Sequence, residues 1–318
     1  MSETKTEWYF IVNPRAGSGK TMSEWVPAEH LFENKDIAYI TAMTDHQKHA
    51  ITLAHEAAAA GYRRIAAVGG DGSLHEVFGG ICSWCDETGT SPEEFTLAVV
   101  PIGSGNDWIK SCRVPDSVPD VIELIAKESF GRMDVVRATS RDGKVAYMAN
   151  GCGIGFDSHV CERVNRQKER GRRGKMIYLN ALRYTIFHLK PISIAVQADG
   201  DTVFSGEAYS LAVGNGAWSG GGMRQAPLAV NDDGLLDYMI VPKSRLRALV
   251  KEIPRLFAGT VHESTLIIYG KCRSLRIAPL DEASADIIEY DGEVEGRLPL
   301  VLENTGVQIN VLKAAAGQ

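Results

Sequence analysis

The chain has 318 residues and a net charge of −6, and 44% of its residues are hydrophobic and 23% charged, as is typical of a globular protein with enough chain for two domains. The negative charge argues against a nucleic-acid partner, because clustered Lys and Arg drive binding to phosphate backbones. The first residues show no secretory signal, and no apolar stretch approaches the roughly 18 residues of a membrane span, which predicts a cytoplasmic location.

Alternating strands and helices are predicted for the first half of the chain. The predicted strands are Trp8–Val12, Ile37–Thr41, Arg63–Gly69 and Thr96–Val100. Helices are predicted from about Thr21, over His46–Ala60, and after the turns that follow the last two strands. This alternation is typical of a parallel α/β sheet.

A glycine-rich turn follows three of these strands. We call the turns the first, second and third glycine loops, and they are Gly17-Ser18-Gly19, Gly70-Asp71-Gly72 and Gly103-Ser104-Gly105. In a parallel sheet such turns emerge at one edge, where ligands bind. Each loop precedes a helix N-terminus, which presents free N–H groups to an anion. The sequence therefore predicts a phosphate site.

The first loop ends like a nucleotide-binding P-loop, with Gly19-Lys20-Thr21. The P-loop pattern requires glycine at the position of Pro14, however, and proline has no N–H to offer a phosphate. A helix start is the other interpretation of the loops, because Ser73-x-x-Glu76 and Ser104-x-x-Asp107 fit capping boxes. Capping alone does not require an acid between two glycines, and this favours phosphate and metal binding.

The second half is predicted to be an antiparallel, sandwich-like domain, because short alternating strands are separated by Gly, Asp and Asn turns. A helical insert is expected over His159–Leu189 and one further helix over Ser244–Ala258. We place the domain boundary near Gly131, which gives domains of residues 1–131 and 132–318. Two cysteines, Cys82 and Cys85, form a C-x-x-C without a second pair at zinc-site spacing, and we predict incidental thiols.

Several motifs together resemble the diacylglycerol kinase catalytic-domain family, which includes bacterial diacylglycerol kinases, sphingosine kinases and ceramide kinases. The motifs are NPRAGSGK, VGGDGSLHEV, PIGSGND, NGCGIGFDSHV, GNGAWSGGGMRQAPLAVNDDGLLDYMIV and EYDGEVEG, and they cover the chain nearly end to end. GGDG is shared with NAD kinases, whereas the block ending in DDGLLD with a later DGE is much more specific. The resemblance makes Asn13-Pro14 native to the first loop, which is therefore not a damaged P-loop.

The resemblance implies an N-terminal three-layer α/β nucleotide-binding domain of NAD-kinase-like fold and a C-terminal β-sandwich domain, with the last strand returning to the first domain. It implies an ATP-dependent lipid kinase with Mg²⁺ as cofactor, most simply one that converts diacylglycerol to phosphatidic acid. The alternatives are an NAD-kinase-like activity on a soluble acceptor and a non-catalytic nucleotide- or lipid-binding regulator.

Catalytic roles are implied for Glu293, Asp71 and Asp291, with Glu293 as the base that deprotonates the attacking hydroxyl. From the residues alone, Asp291-Gly292-Glu293 could instead be an exposed hairpin turn, because Asp-Gly is a strong turn signal. The implied nucleotide-binding residues are Asn13, Thr44, Gly70, Asp71, Gly72, Ser73, Glu76 and Ser104. Thr44 would otherwise be interpreted as a helix N-cap.

Two magnesium sites are implied by the resemblance. Asp71, Asp107 and Asp134 would surround the catalytic ion, partly through water, and Mg²⁺ does favour carboxylates, phosphates and retained waters. The Asp233 carboxylate and the carbonyls of Val230 and Leu235 would hold a structural ion. From the residues alone, Asp134 could instead be a surface acid at the start of a strand. The acids Asp232 and Asp237 could instead belong to an ordinary loop and strand edge.

The segment Arg163–Lys175 is rich in Arg and Lys. A solvated helix face is one explanation, and docking on anionic lipid is the other. We expect a lipid substrate at a membrane surface, with peripheral contact at the inner membrane face. A homodimer formed through strand edges is a further expectation.

Overall fold

The computed structural model describes residues 4–103, 105–170, 172 and 175–314. The strands in this part of the chain are β1 (Lys5–Val12), β2 (Tyr39–Met43), β3 (Tyr62–Gly69), β4 (Thr96–Pro101), β5 (Phe130–Thr139), β6 (Val145–Met148), β7 (Gly151–Gly155), β8 (Ile192–Ala198), β9 (Asp201–Gly214), β10 (Leu236–Pro242), β11 (Ile268–Cys272), β12 (Ser274–Pro279), β13 (Ile287–Tyr290), β14 (Glu293–Arg297) and β15 (Leu300–Leu312). The α-helices are α1 (Thr21–Glu33), α2 (His49–Ala59), α3 (Asp71–Thr88), α4 (Asp107–Ser111), α5 (Val118–Ala126), α6 (Phe156–Glu169), α7 (Lys175–Phe187), α8 (Leu246–Val250) and α9 (Ile253–Ala258).

The described residues form two compact units. Unit 1 contains the residues up to 135 and those from 306 onward, and unit 2 contains residues 136–305. The chain therefore enters unit 2 within β5, four residues after the expected boundary at Gly131, and returns to unit 1 within β15. The division does not coincide with the end of any helix or strand, because β5 and β15 each run from one unit into the other.

Unit 1 is built on a parallel sheet with the strand order β4-β3-β1-β2. Val12 lies opposite Met43 and Val68, and Gly69 lies opposite Pro101, so β1 to β4 end at one edge. The end of β15 runs parallel to β4. Right-handed crossovers place α1 on one face of this sheet and α2 and α3 on the other. The predicted three-layer α/β architecture is confirmed.

An aromatic cluster fixes α1 against β1. The ring of Phe10 on β1 lies 5.1 Å from that of Trp25 and 4.7 Å from that of Phe32, both on α1. All three side chains are fully buried. Burial of each such side chain stabilises a fold by about 2–3 kcal/mol, so this helix–sheet contact anchors the segment that follows the first glycine loop.

Unit 2 contains an antiparallel path in the order β14-β13-β7-β9-β8-β12-β15, with β10 between β9 and β11. The first half of β9 pairs with β8, and its second half pairs with both β7 and β10. The inward side chains form a core rich in Ile, Val and Leu. The predicted β-sandwich class is confirmed, and α6 and α7 form the expected helical insert.

The predicted helix Ser244–Ala258 is wrong in one respect, because the structure divides it into α8 and α9. Pro254 lies in the first turn of α9. Its ring would clash with the carbonyl four residues earlier in a continuous helix, and it has no N–H to donate. In the part of the chain that the structure describes, no helix combines the length and apolar character needed to cross a bilayer.

Candidate active site

The three glycine loops meet at the carboxyl edge of the unit 1 sheet. A β-carbon on Gly103 would lie 2.7 Å from the Cα of Gly70, and one on Gly17 would lie 2.9 Å from Cγ2 of Ile102. Neither position has room for a side chain, so the backbone of Gly103 approaches that of Gly70, and the backbone of Gly17 packs against Ile102. The predicted clustering is therefore observed for the described residues of the three loops.

Asn13 connects the end of β1 to the second loop. Its amide Nδ2 donates to Ser73 Oγ at 3.3 Å, and its Oδ1 accepts the N–H of Arg15 at 3.0 Å. Thr44 is buried, and its backbone N–H donates to the carbonyl of Val12 at 2.9 Å. These contacts place two predicted nucleotide-binding residues beside the glycine loops.

Asp71 joins the second loop to the third. Its two carboxylate oxygens accept the backbone N–H groups of Asp107 and Trp108, each at 3.1 Å, which caps α4. A β-carbon on Gly105 would lie 3.2 Å from Asp71 Oδ2 and 3.9 Å from Asp107 Oδ2. The space that this glycine leaves open therefore faces two carboxylates. Asp107 is also held by Lys110, whose Nζ lies 2.7 Å from its Oδ1.

Asp134 is held by a different part of the chain. It is 2% exposed on β5 and accepts a hydrogen bond from Gln308 Nε2 at 2.9 Å, so the surface-acid interpretation is wrong. Among the described residues, the ligand atoms of Asp71, Asp107 and Asp134 do not converge within 4.8 Å of one another. Gln308 was missed from the sequence, because nothing in its own strand indicates which acid it faces.

The capping-box interpretation of Ser73 and Glu76 is also wrong. Helix α3 begins at Asp71 with Gly70 as its N-cap, so Ser73 lies inside the first turn. The Glu76 carboxylate instead accepts the N–H groups of Lys48 and Ala50, at 3.1 and 3.2 Å, and so holds the start of α2. Burial raises the pKa of Glu76. The N-cap interpretation of Thr44 is likewise wrong, because α2 begins only at His49.

Ser104 lies outside the described residues, so its predicted nucleotide contact stays a prediction. Gly70, Gly72 and Ser73 lie on the second loop or in the first turn of α3.

In unit 2, Asp291 holds the turn that carries Glu293. Its carboxylate accepts three backbone N–H groups, those of Ala149, Asn150 and Gly151, at 3.0, 2.8 and 2.9 Å. The residue is 8% exposed and adopts a positive φ of 51°. These contacts are those of a structural anchor that positions the turn between β13 and β14.

Helix α6 holds the same turn from its other side. The Gly292 carbonyl accepts hydrogen bonds from Cys161 Sγ at 2.8 Å and from Asn165 Nδ2 at 3.2 Å. Glu293, half-buried, is the first residue of β14 and lies opposite Tyr290. The Asp-Gly-Glu segment is thus a hairpin turn, as its residues predict, but one that two other elements fix in place.

Two further acids beside this turn were missed from the sequence. Glu289 Oε2 accepts the Gly292 N–H at 2.9 Å. Asp157 accepts hydrogen bonds from Ser210 and from Gln225 Nε2, the latter at 2.7 Å. A β-carbon on Gly153 would lie 2.6 Å from Glu289 Oε1, so a glycine there makes room for the carboxylate. The G-C-G stretch was the available signal.

Burial raises the pKa of Glu289 to about 8, against the opposing effect of the Gly292 N–H, and the neighbouring acids Asp157, Asp291 and Glu293 raise it further. Burial likewise raises the pKa of Asp157. Raised carboxyl pKa values around one turn are a frequent property of catalytic sites.

Two sequence profiles match the chain. The profile of the diacylglycerol kinase catalytic domain matches residues 7–138, and that of the YegS C-terminal NAD kinase beta sandwich-like domain matches residues 151–313. Residues 7–138 of this chain therefore form a diacylglycerol kinase catalytic domain, and the chain belongs to the proteins that carry the YegS C-terminal NAD kinase beta sandwich-like domain. The resemblance of its glycine-loop and DGE motifs to that family is thereby confirmed.

Individual relatives agree with this assignment. A protein named probable lipid kinase YegS-like from Xanthomonas campestris pv. campestris is 29% identical over 91% of this chain and 90% of its own length. A diacylglycerol kinase of Staphylococcus aureus is 25% identical over 95% of this chain and 90% of its own. A crystal structure of a diacylglycerol kinase from Bacillus anthracis str. Sterne, 24% identical, covers 99% of both chains with a TM-score of 0.70, which shows the shared fold.

The structural cation that the family resemblance implied does not fit this chain as it is folded. Lys271 places its ammonium group 3.4 Å from Asp233 Oδ2, 3.1 Å from Asp237 Oδ2 and 2.9 Å from the Leu228 carbonyl. Lys271 lies directly opposite Asp237 in the β10–β11 pair. Asp233 Oδ1 accepts the Leu235 N–H at 3.0 Å, and the Val230 carbonyl accepts the Asp233 N–H at 3.4 Å. A covalently attached cation thus neutralises the acids that a divalent ion would bind.

We expect the melting temperature of the wild-type protein to be the same with Mg²⁺ and with a chelator, because Lys271 already supplies the positive charge. Lys271→Met should lower the melting temperature in chelator and regain part of the loss with Mg²⁺, since Asp233 and Asp237 then repel each other. Thermal unfolding in both buffers measures this. Lys243→Met, which removes an exposed pair with Glu207, is the control and should show no Mg²⁺ effect. A wild-type protein that loses stability in chelator would contradict the expectation.

The raised pKa of Glu289 predicts a pH-dependent stability. Between the ordinary glutamate pKa of 4.5 and the folded value of about 8, the folded protein retains a proton that the unfolded chain has lost. The free energy of unfolding should therefore fall as the pH rises through this window, by up to about 1.4 kcal/mol per pH unit. Glu289→Gln should flatten this slope in urea unfolding measured across the window. Glu303→Gln, at an exposed position, should keep it, and an unchanged slope in Glu289→Gln would refute the assignment.

Proposed function

We propose that this chain transfers the γ-phosphate of ATP to the hydroxyl group of a lipid, with diacylglycerol as acceptor and phosphatidic acid as product. Membership in a family of lipid and diacylglycerol kinases supports ATP as co-substrate. The observation that carries the proposal is the convergence of three glycine loops and two carboxylates at one edge of the unit 1 sheet. Phosphoryl transfer depends on such positioning and on charge neutralisation rather than on covalent chemistry by the protein.

Unit 1 binds the polyphosphate in this proposal. Backbone N–H groups of the glycine loops, with the N-terminus of α3, donate to phosphate oxygens, and Asn13 and Ser73 stay hydrogen-bonded to each other beside them. Asp71 and Asp107 would hold a magnesium ion, because both face the space beside Gly105, and the ammonium group of Lys110 would have to leave Asp107 for the ion to bind. The ion, when bound with ATP, supplies charge neutralisation on the phosphates. Asp134, which is buried beside Gln308, would contact this ion through water.

Unit 2 supplies the base. The Glu293 carboxylate accepts the proton of the lipid hydroxyl while the hydroxyl oxygen bonds to the γ-phosphorus and the bond between that phosphorus and the bridging oxygen of ADP breaks. Asp291, whose oxygens hold three N–H groups, acts as a positioning residue for the turn. Glu289, whose Oε2 accepts the Gly292 N–H, is a second positioning residue for the turn.

The basic segment Arg163–Lys175 is part of the proposal as a contact with anionic lipid. Arg163 stacks on the ring of Tyr184, 3.4 Å from its centroid, and Arg166 pairs with Glu162 at 2.7 Å, so these two are engaged within the protein. Arg170 and Arg172 are exposed, and Gly171, Arg173 and Gly174 lie outside the described residues. Charge reversal at Arg170 and Arg172 should weaken association with anionic vesicles, and unchanged association would remove the segment from the proposal.

The test of the function is transfer of label from ATP carrying radioactive γ-phosphate. The wild-type protein is offered a panel of lipids in mixed micelles with Mg²⁺, alongside NAD as a soluble acceptor. Label in diacylglycerol alone supports the proposal, and label in another lipid reassigns the substrate. Label in NAD, or ATP binding without label in any acceptor, would overturn lipid phosphorylation in favour of a soluble acceptor or a regulatory role.

A further inference from the structure

A groove of about 600 Å³ lies between the end of α7 and the helices α8 and α9 in unit 2. Its lining has two classes of side chain, apolar and basic, and contains no acidic or neutral polar residue. The lining residues are Arg183, Ile186, Phe187, Leu246, Arg247, Val250, Lys251 and Ile253. We call this the α7–α8 groove.

The apolar residues of the groove are unusually exposed. Phe187 is 78% exposed, Val250 47% and Leu246 40%. On the same helices, Phe257 is 58% and Met176 64% exposed. Single exposed apolar side chains are normal, but several on neighbouring helices with an open groove between them mark an interaction site.

The basic residues of the groove are unpaired within the described chain. Arg183, Arg247 and Lys251 make no ion pair or side-chain hydrogen bond with a described residue. Other cations of unit 2 do find acids, as Lys243 does with Glu207 at 2.7 Å and Arg255 with Glu252 at 3.2 Å. Three uncompensated positive charges thus surround an apolar surface in a chain whose net charge is −6.

We propose that the α7–α8 groove docks this protein on a bilayer that contains anionic phospholipid. Exposed Phe187, Val250 and Leu246 enter the boundary between headgroups and acyl chains, and the three cations meet lipid phosphates, which is the pattern of interfacial helices. The proposal rests on the proposed function, because a kinase with a lipid acceptor has to reach a bilayer surface. It adds a surface other than the basic segment Arg163–Lys175, which begins on α6 and ends at the first residue of α7.

A second copy of the chain fits this surface poorly. A two-fold symmetric contact brings each patch against itself, so the three cations of one copy would face the same three of the other without an acid between them. A bilayer with anionic headgroups supplies the missing negative charge together with an apolar interior. Charge complementarity therefore favours lipid as the occupant.

The test is co-sedimentation of the full chain with phosphatidylcholine vesicles, with and without phosphatidylglycerol. Arg183→Glu, Arg247→Glu and Lys251→Glu together should weaken binding to the anionic vesicles by at least about 100-fold, since each cation strengthens binding about fivefold. Phe187→Ser with Val250→Ser should weaken it about tenfold. The matched control reverses three exposed cations outside the groove, Arg141, Lys144 and Arg273, and should retain most of the binding.

Failure of docking and failure of the proposed function are separable. Phosphorylation of a short-chain diacylglycerol dispersed below its micellar concentration reports the chemistry without a bilayer, and the groove variants should match wild type there while losing activity on vesicle-borne substrate. The docking proposal would be overturned if wild-type protein bound equally well to vesicles with and without phosphatidylglycerol, or if the groove variants bound to anionic vesicles as tightly as wild type. So would groove variants whose only change is lost self-association on size-exclusion chromatography, which would assign the groove to a second copy. Absent phosphorylation by wild type, with vesicle binding still groove-dependent, would overturn the function alone.

Discussion

Glu293→Gln is expected to lower the rate of phosphoryl transfer by about 10²–10⁴, the usual contribution of a positioned general base. Glutamine keeps the size of the side chain and its place at the start of β14, but it cannot accept the hydroxyl proton. ATP binding should be unchanged, because the glycine loops lie in unit 1. Initial rates with labelled ATP and diacylglycerol, together with a nucleotide-binding titration, measure both effects.

The matched control is Glu303→Gln, which removes the same charge from an exposed position on β15. It should leave both rate and binding within error of wild type. A Glu293→Gln protein that retains more than about a tenth of wild-type activity would show that another group takes the proton, with half-buried Glu289, whose pKa is about 8, as the next candidate.

Asp291→Ala is expected to lower the free energy of unfolding by about 3–5 kcal/mol, because three backbone N–H groups that its carboxylate accepts lose their partner. The backbone at this position has a positive φ, which aspartate tolerates better than alanine, so the substitution also adds backbone strain. The turn that carries Glu293 should loosen at the same time, so activity falls as well. Urea unfolding measures the stability change.

Two comparison variants make this prediction specific. Asp291→Asn keeps one acceptor oxygen and should lose roughly half as much stability. Asp142→Ala removes an exposed acid in the same unit and should stay within about 0.5 kcal/mol of wild type. If Asp291→Ala also fell within that range, the three contacts would not be what holds the turn.

Local patterns predicted the elements of both units well. The apolar runs that end in glycine loops are β1, β3 and β4, and their shared direction followed from the helices between them. Pro254, whose ring restricts the preceding turn, was the sequence signal for the division of helix Ser244–Ala258. The capping-box interpretation of Ser73 and Glu76 was wrong because both residues have tertiary partners, which are Asn13 and the start of α2.

The roles of the acids were less visible in the sequence. Asp71 and Asp291 stand beside glycines in motif positions, yet each uses its carboxylate to hold backbone N–H groups from a distant segment. Burial raises the pKa values of Glu289 and Asp157, and that burial depends on how distant segments pack around them. Lys271 lies far along the chain from Asp233, and strand pairing alone brings them together.

The sequence by itself determined the family, the parallel strands and glycine loops in unit 1, and the Asp-Gly-Glu turn in unit 2, because these depend on residue types at short spacing. The tertiary structure decided which carboxylate is engaged, which is buried, and which is paired with a lysine. Those properties depend on segments as far apart as Asp291 and Ala149. No local pattern encodes which distant N–H or ammonium group will donate a hydrogen bond to a given carboxylate.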